Sequence, residues 1–184
     1  MESLKGQLLI ATPELVAPMF ARSVILMLDH NEDGALGVIL NQPISTTLTD
    51  LAGKVFDEEF VWDKPLRLGG PVSGSLLVLH TVEELADQET LPGVYVTLES
   101  SQVQRLITRK PEPSLVIANY SGWGPGQLEG EFGWDSWLTL PATPELVFWD
   151  DDRDLWKVTV SEVRARKLSD FLGLKGVPGD PSLN

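Results

Sequence analysis

The feature that most constrains the fold is a pair of apolar, strand-length segments separated by one short turn-forming segment. Ser23–Leu28 (SVILML) is continuously apolar and rich in β-branched residues, which is typical of a strand covered on both faces. The turn-forming residues HNEDG follow at positions 30–34, and Ala35–Leu40 (ALGVIL) is a second apolar segment. Two strands joined by so short a loop form an antiparallel hairpin. A purely parallel sheet is therefore excluded.

Further strand-sized and helix-sized segments alternate irregularly along the chain. The patterns predict strands over residues 6–11, 66–68, 76–80, 94–98, 115–120 and 137–140. They predict helices or helical turns over residues 45–51, 81–85, 100–108, 125–130, 143–148 and 154–168. The fold class that suits this order is α+β with a mixed, largely antiparallel sheet. The chain has 184 residues and neither an internal repeat nor a linker, so we predict one domain over residues 1–175 and a flexible tail over 176–184.

Several of these helices have recognisable start signals. Ser100 or Ser101 is the expected N-cap of one helix, and Thr81 and Glu84 have the spacing of a capping box. Pro125 suits the first turn of a short helix, where its missing N–H is harmless, and Thr143 is a cap followed by Pro144 at the first helical position.

The charge of the chain argues against direct nucleic-acid binding. Fourteen basic residues against 27 acidic ones give a net charge of −13, whereas nucleic-acid-binding proteins usually carry a basic footprint. The one basic cluster, Arg164, Arg166 and Lys167, is better explained as the solvated face of a helix. We therefore expect the partner to be a protein or a small ligand.

The absence of cysteine removes disulfides, thiolate metal sites and thiol catalysis. The apolar stretch near the start, Leu8–Ala11, is shorter than the core of a signal peptide, and no apolar run approaches the length of a membrane span. These patterns predict a cytoplasmic protein that does not insert into a membrane.

Candidate catalytic residues are few. The two histidines, His30 and His80, each follow an apolar strand, and two such residues do not specify a metal site. Ser121 lies in NYSGWG, which lacks the glycine that a nucleophile elbow needs two residues before the serine. The sequence therefore gives no catalytic residue, no metal site and no cofactor.

Two glycine-rich segments remain as candidate ligand sites. The loop GGPVSGS at 69–75 could cradle an anion with its backbone amides, although a tight structural turn explains it better. The segment SGWGPGQLEGEFGWDSWL at 121–138 is the part of the chain richest in glycine and tryptophan. One interpretation is a structural corner in which indoles pack over the backbone. The other is a ligand groove with Trp123 as its anchor and Gln127 and Glu129 as polar contacts.

Taken together, these segments resemble the YqgE/AlgH family of bacterial proteins. The resemblance rests on GQLLIATP, DHNEDGALGVILNQP, LRLGGPV with LLVLH, ANYSGWGPGQLEGE, and WLTLP with VFW, in family order from Gly6 to about Trp156. It implies a branched sheet that curls into a pseudo-barrel with short flanking helices. The family has no established catalytic residues, and the link of one branch to alginate control in pseudomonads implies an indirect role in transcriptional regulation.

The leading hypothesis is a non-enzymatic binding or regulatory protein, and the alternative is an enzyme of unrecognised class that uses His30 or His80 with Glu129. Residues that directly follow predicted strands are the expected site, because loops at strand ends commonly build sites. We expect the following residues to gather there: Thr12, His30, Asn41, Gly70, Trp123, Gly124, Gln127 and Glu129.

Overall fold

A computed structural model describes residues 2–46, 48, 65–150 and 153–173 of the chain. The helix predicted over residues 45–51 lies mostly outside this range, and the predicted tail at 176–184 lies entirely outside it. No helix within the described residues is both long enough and apolar enough to cross a membrane.

The described residues form one nine-stranded sheet with helices packed around it. The strands are β1 (Gln7–Ala11), β2 (Val24–Asn31), β3 (Gly34–Ile39), β4 (Arg67–Leu68), β5 (Val72–His80), β6 (Gln88–Leu91), β7 (Val94–Thr97), β8 (Ser114–Trp123) and β9 (Trp137–Pro141). The helices are a 3₁₀ turn (Glu83–Leu85), α1 (Ser100–Arg109), α2 (Gln127–Phe132), α3 (Pro144–Val147) and α4 (Leu155–Phe171).

The strand order β6-β7-β5-β8-β3-β2-β1-β9 is antiparallel throughout, and β4 adds one parallel pairing to β8. The predicted hairpin is β2–β3, and its register joins Asn31 to Gly34. The turn therefore contains only Glu32 and Asp33, and His30 belongs to the strand. The mixed, largely antiparallel sheet and the α+β class are confirmed.

The sheet branches at β8, which pairs with β5, β4 and β3 in turn. This branching lets the sheet curl, so apolar side chains fill both of its faces. The main core cluster contains residues of β1, β2, β3, β5, β8 and α4, whereas a second cluster packs α1 against β5 and β8. The resemblance implied this branched, curled sheet.

Local start signals were predicted with mixed success. Thr143 caps α3 with Pro144 at its first position, as the pattern indicates, and Asp154 caps α4. The N-cap of α1 is Glu99 instead of a serine, because its carboxylate accepts hydrogen bonds from the N–H groups of Ser101 and Gln102.

Three other expectations were wrong. The 3₁₀ turn has no side-chain cap, so Thr81 and Glu84 form no capping box. Helix α2 starts at Gln127 after Gly126, two residues beyond Pro125. Strand β6 was missed because three of the four residues in its sequence, QETL, are polar and it lacks a β-strand pattern.

Candidate functional site

His30 and Glu129, two residues of the predicted site, are in contact. His30 lies near the end of β2 with its side chain buried, and its Nε2 lies 3.1 Å from Oε1 of Glu129 in α2. The other ring nitrogen, Nδ1, accepts a hydrogen bond from the N–H of Leu4 at 3.0 Å. This network assigns the neutral tautomer, in which Nε2–H donates to the carboxylate. A hydrogen bond from the backbone N–H of Glu129 lowers the pKa of its carboxyl, and the bond from His30 lowers this pKa further.

The tryptophans beside this pair form a packed corner. The Nε1–H groups of Trp123 and Trp137 both donate to Oε2 of Glu131, at 3.0 and 2.8 Å. Their rings meet edge to face with centroids 6.3 Å apart, and Phe20 stacks on Trp123. Both indoles are at least 94% buried. This geometry fits the structural interpretation of the glycine–tryptophan segment.

Gln127 and Gly124 are hydrogen-bonded to each other in the same corner. The Oε1 of Gln127 accepts a hydrogen bond from the N–H of Gly124 at 3.1 Å, and its Nε2 donates to Oε1 of Glu131 at 3.2 Å. Glu131 therefore accepts hydrogen bonds from three neighbours, although it was not among the site residues predicted from the sequence. Its spacing of four residues after Gln127 was the available signal, since residues i and i+4 share a helix face.

Asn41 and Thr12 lie at the opposite end of β2 from His30. The Oδ1 of Asn41 accepts the N–H of Val24 at 2.9 Å, and its Nδ2 donates to the carbonyl of Arg22 at 2.8 Å. Thr12 follows β1, whose Ile10 pairs with Val24. His30 lies six positions after Val24 along the strand, which corresponds to roughly 20 Å.

Gly70 lies at the branch point of the sheet. Its φ is +154°, and a Cβ at this position would lie 2.4 Å from the carbonyl oxygen of Tyr120. Gly69 approaches Asn119 in the same way. The GGP segment therefore has a structural role, because only residues without a side chain let its backbone lie this close to the backbone of β8.

The structure thus divides the eight predicted residues instead of gathering them. His30, Trp123, Gly124, Gln127 and Glu129 form one cluster, whereas Thr12 and Asn41 lie at the other end of the sheet and Gly70 lies at the branch. The expectation of a single gathered site fails because successive antiparallel strands end at alternating edges of a sheet.

His80, the second histidine, is fully buried and belongs to a separate network. Its Nε2 lies 2.8 Å from Oγ1 of Thr97, which in turn donates to the carbonyl of Leu85 at 2.6 Å. Its Nδ1 accepts the N–H of Val82 at 3.1 Å. Burial lowers the pKa of His80, and the charges of Asp87 and Glu84 offset part of that effect.

A cavity of about 450 Å³ opens at the end of β2 where Asn41 lies. We call it the arginine cavity, because three of its described wall residues are arginines. Its walls come from the loop before β2, the segment after β3, strand β4, and the connection between α3 and α4. The lining residues are Ala21, Arg22, Leu40, Asn41, Gln42, Arg67, Val147, Trp149, Asp150, Arg153, Asp154 and Leu155.

Two of the arginines stack on indole rings. The guanidinium of Arg22 lies 4.9 Å from the ring centroid of Trp156 and pairs with the carboxylate of Asp154. The guanidinium of Arg153 lies 5.1 Å from the ring centroid of Trp149. A guanidinium placed over an indole is held by the cation–π attraction, and its N–H groups point outward in the guanidinium's own plane.

A smaller cavity of about 170 Å³ adjoins the arginine cavity and shares Arg67, Trp149 and Asp150 with it. We call it the side cavity. Burial lowers the pKa of Arg67, and the charge of Asp150 offsets part of this effect. Neither cavity is lined by His30, Trp123 or Glu129. Neither cavity could be predicted from the sequence, because their arginines are far apart in the chain and form no motif.

Within the described ranges, no group of three or more histidine or carboxylate side chains is close enough to hold a metal ion.

The chain is similar in sequence to one described family and to proteins of several bacteria. Residues 8–167 match the model of a family described as AlgH-like, DUF179. A UPF0301 protein of Chlorobaculum parvum is 37% identical over 97% of this chain and 95% of its own length. A UPF0301 protein of Chlamydia pneumoniae is 32% identical over 98% and 95%.

Two solved structures share the fold. The solution structure of the AlgH protein from Pseudomonas aeruginosa superimposes with a TM-score of 0.74 at 28% identity, covering 96% of this chain and 97% of that one. A crystal structure from Corynebacterium diphtheriae has a TM-score of 0.69 at 24% identity and covers 85% of each chain.

Proposed function

The chain belongs to the AlgH-like family, and from that premise we propose that it is a non-enzymatic binding protein whose ligand occupies the arginine cavity. A regulatory role, which the resemblance implies, would then follow from whether the cavity is filled. The relatives named above carry no stated activity, so the proposal rests on the geometry of this chain.

The observation that carries the proposal is the composition of the cavity wall. Cavities of roughly 300–1,000 Å³ that combine aromatic surface with a few oriented polar groups are typical small-ligand sites. The arginine cavity has this size and combines Trp149 with three guanidinium groups and the amide of Gln42.

The wall is also pre-organised. Nδ2 of Asn41 donates a hydrogen bond to the carbonyl of Arg22, and Nε2 of Gln42 donates one to the carbonyl of Met19 at 2.8 Å. At the start of α4, Oδ1 of Asp154 accepts the N–H of Lys157 at 3.2 Å. Side chains fixed in this way lose little freedom when a ligand binds, which favours affinity.

The groups that could perform acid–base or nucleophilic chemistry are instead bound to the fold. His30 and His80 each accept a backbone N–H at one ring nitrogen, and the hydroxyl of Ser121 is buried and donates to the carbonyl of Gly69 at 3.0 Å. A group held by such bonds must break them before it can act on a substrate. This favours binding over catalysis.

The enzyme hypothesis keeps one supporting observation, the contact of 3.1 Å between His30 and Glu129. A histidine and a carboxylate within hydrogen-bond reach can act as a catalytic pair when a substrate reaches them. Here Leu4 covers Nδ1, and the histidine side chain is only 4% exposed. A substrate would have to displace the segment that contains Leu4.

Native mass spectrometry of protein purified gently from its host tests the binding proposal. Ala21→Trp places an indole at the cavity wall without removing a functional side chain, because Ala21 is exposed. Val16→Trp is the matched control, since Val16 is 84% exposed and lines neither cavity. We expect a small molecule on the wild type and the control but not on Ala21→Trp. A molecule retained equally by all three proteins would place the ligand elsewhere and contradict the proposal.

A further inference from the structure

The end of helix α4 presents three large apolar side chains to solvent. Leu168, Phe171 and Leu172 are 58%, 86% and 55% exposed. Their spacing of three and four residues places them on one face of the helix. Single exposed apolar side chains are common on protein surfaces, whereas several adjacent ones mark interaction sites. We call this group the helix-end face.

The helix-end face is turned away from the body of the protein. The buried residues of α4, which pack against the body, are Leu155, Thr159, Val160 and Val163. Continuing the spacing of Thr159 and Val163 by two turns leads to Arg166 and Asp170, which are polar and exposed. The body-facing stripe therefore ends at Val163, and the apolar residues beyond it occupy a different face. The described part of the chain leaves that face uncovered.

Basic residues flank the helix-end face. Arg164 lies four positions before Leu168, and Lys167 lies four positions before Phe171, so both share its side of the helix. Both basic side chains are exposed. The chain as a whole carries a net charge of −13, so a face that is basic and apolar is unusual for its surface. The complement of such a face is a surface that is acidic and apolar.

An acidic and apolar surface is present on the same chain, at the turn after α2. Trp134 is 79% exposed, and its neighbour Asp135 is exposed as well. The N–H of Trp134 donates to the carbonyl of Glu131 at 3.2 Å, so the turn that carries the indole is held by a backbone bond. No lysine or arginine occurs in residues 111–152. We call Trp134 and Asp135 the tryptophan tip.

We propose that the helix-end face of one copy packs on the tryptophan tip of a second copy of this chain. Phe171 and its leucine neighbours contact the indole of Trp134, and the basic residues Arg164 and Lys167 lie opposite Asp135. Tryptophan is enriched among the residues that dominate binding at protein interfaces, and opposite charges around an apolar contact select the partner. Since each copy carries both surfaces, the product is a reciprocal dimer or a longer head-to-tail assembly.

The contact between the two surfaces is small. An aromatic side chain buries about 150–250 Å², so one such contact falls below the roughly 1,200 Å² of a standard stable interface. We therefore expect weak association that increases with protein concentration and decreases as salt screens the exposed charges. Neither surface lines the arginine cavity, so this inference does not depend on the proposed function.

Sedimentation equilibrium of the full chain at several protein concentrations tests the inference. We expect the wild type to associate, and Phe171→Glu and Trp134→Ala each to associate at least about tenfold more weakly. Both side chains are exposed, so neither substitution should impair folding. Leu98→Glu is the matched control, because Leu98 is an exposed apolar residue that precedes α1, and it should associate like the wild type.

An equimolar mixture of the two variants identifies which surfaces meet. Phe171→Glu keeps an intact tryptophan tip and Trp134→Ala keeps an intact helix-end face, so the mixture should form one-to-one pairs. Association that is lost in each variant and restored in the mixture supports the inference. Loss in only one variant would mean that like surfaces pair with each other, which overturns it. A wild type that stays monomeric at every concentration, association that both variants retain, or a mixture that stays monomeric overturns it too.

Discussion

His30 and Glu129 are 99 positions apart in the chain, and His30 Nε2 lies 3.1 Å from Glu129 Oε1. The contact joins the end of β2 to helix α2. The second ring nitrogen of His30 accepts a hydrogen bond from the N–H of Leu4. Ser3 adds a hydrogen bond from its hydroxyl to the carbonyl of His30 at 2.8 Å. One buried imidazole therefore connects the start of the chain, the hairpin and α2.

The first prediction is that His30→Ala makes the segment around Leu4 more mobile. The N–H of Leu4 loses its acceptor and a buried side chain is removed, so we expect a destabilisation of about 2 kcal/mol and faster hydrogen exchange at Leu4. Glu129→Gln is the control, because its amide oxygen can still accept from Nε2–H and the bond to Leu4 remains. Unchanged exchange at Leu4 in His30→Ala would show that the imidazole does not hold this segment.

The second prediction concerns the acceptor of the two indoles. In Glu131→Leu the Nε1–H groups of Trp123 and Trp137 lose their shared carboxylate oxygen while remaining buried. We expect the free energy of unfolding, measured by urea denaturation, to fall by about 2 kcal/mol. Glu162→Leu, which breaks only a surface pair with Arg166, should change it by less than about 0.5 kcal/mol. Equal effects of the two substitutions would contradict the structural role of Glu131.

The third prediction separates backbone strain from steric contact at the branch of the sheet. Gly70→Ala and Gly93→Ala both place a side chain at positive φ, but only the Cβ at position 70 meets backbone atoms closer than 3 Å. We expect Gly93→Ala to cost about 1 kcal/mol and Gly70→Ala to cost clearly more in thermal or urea unfolding. Similar costs at the two positions would mean that the branch tolerates a wider backbone separation.

The fourth prediction follows from the lowered pKa of His80. Below about pH 6.5 the unfolded chain binds a proton at this residue, whereas burial lowers the pKa of His80 and disfavours the charged imidazole in the folded protein. The free energy of unfolding should therefore fall as pH decreases from 7 to 5, by up to about 1.4 kcal/mol per pH unit from this group. His80→Gln should flatten that slope when unfolding is measured at several pH values. An identical slope in wild type and variant would exclude His80 as the cause.

Much of the fold could be predicted from the sequence, because its strands have strong local patterns. The apolar hairpin at β2–β3 and the Thr143–Pro144 helix start are determined by neighbouring residues, so local patterns were sufficient. Strand β6 was not predictable in this way, since its polar residues pair with β7 at the edge of the sheet. The branch at β8 depends on contacts between distant segments, and only the family resemblance implied it.

The candidate site was less predictable than the fold. The proximity of His30 and Glu129 followed from choosing residues at strand ends, but the same rule also selected Asn41, which lies at the other edge. The arginine cavity depends on Arg22, Arg67 and Arg153, which are brought together only by the tertiary fold. No local pattern distinguishes these arginines from surface residues.

The indole N–H signals in a two-dimensional NMR titration test the central claim most directly, because they report on both candidate sites in one spectrum. Trp149 lines the arginine cavity, whereas Trp123 and Trp137 donate to Glu131 in the corner beside His30. On addition of a small-molecule extract of the host, we predict that the signal of Trp149 shifts saturably while those of Trp123 and Trp137 remain in place. Saturable shifts of Trp123 and Trp137 without a shift of Trp149 would contradict the account and move the binding site to the glycine–tryptophan corner.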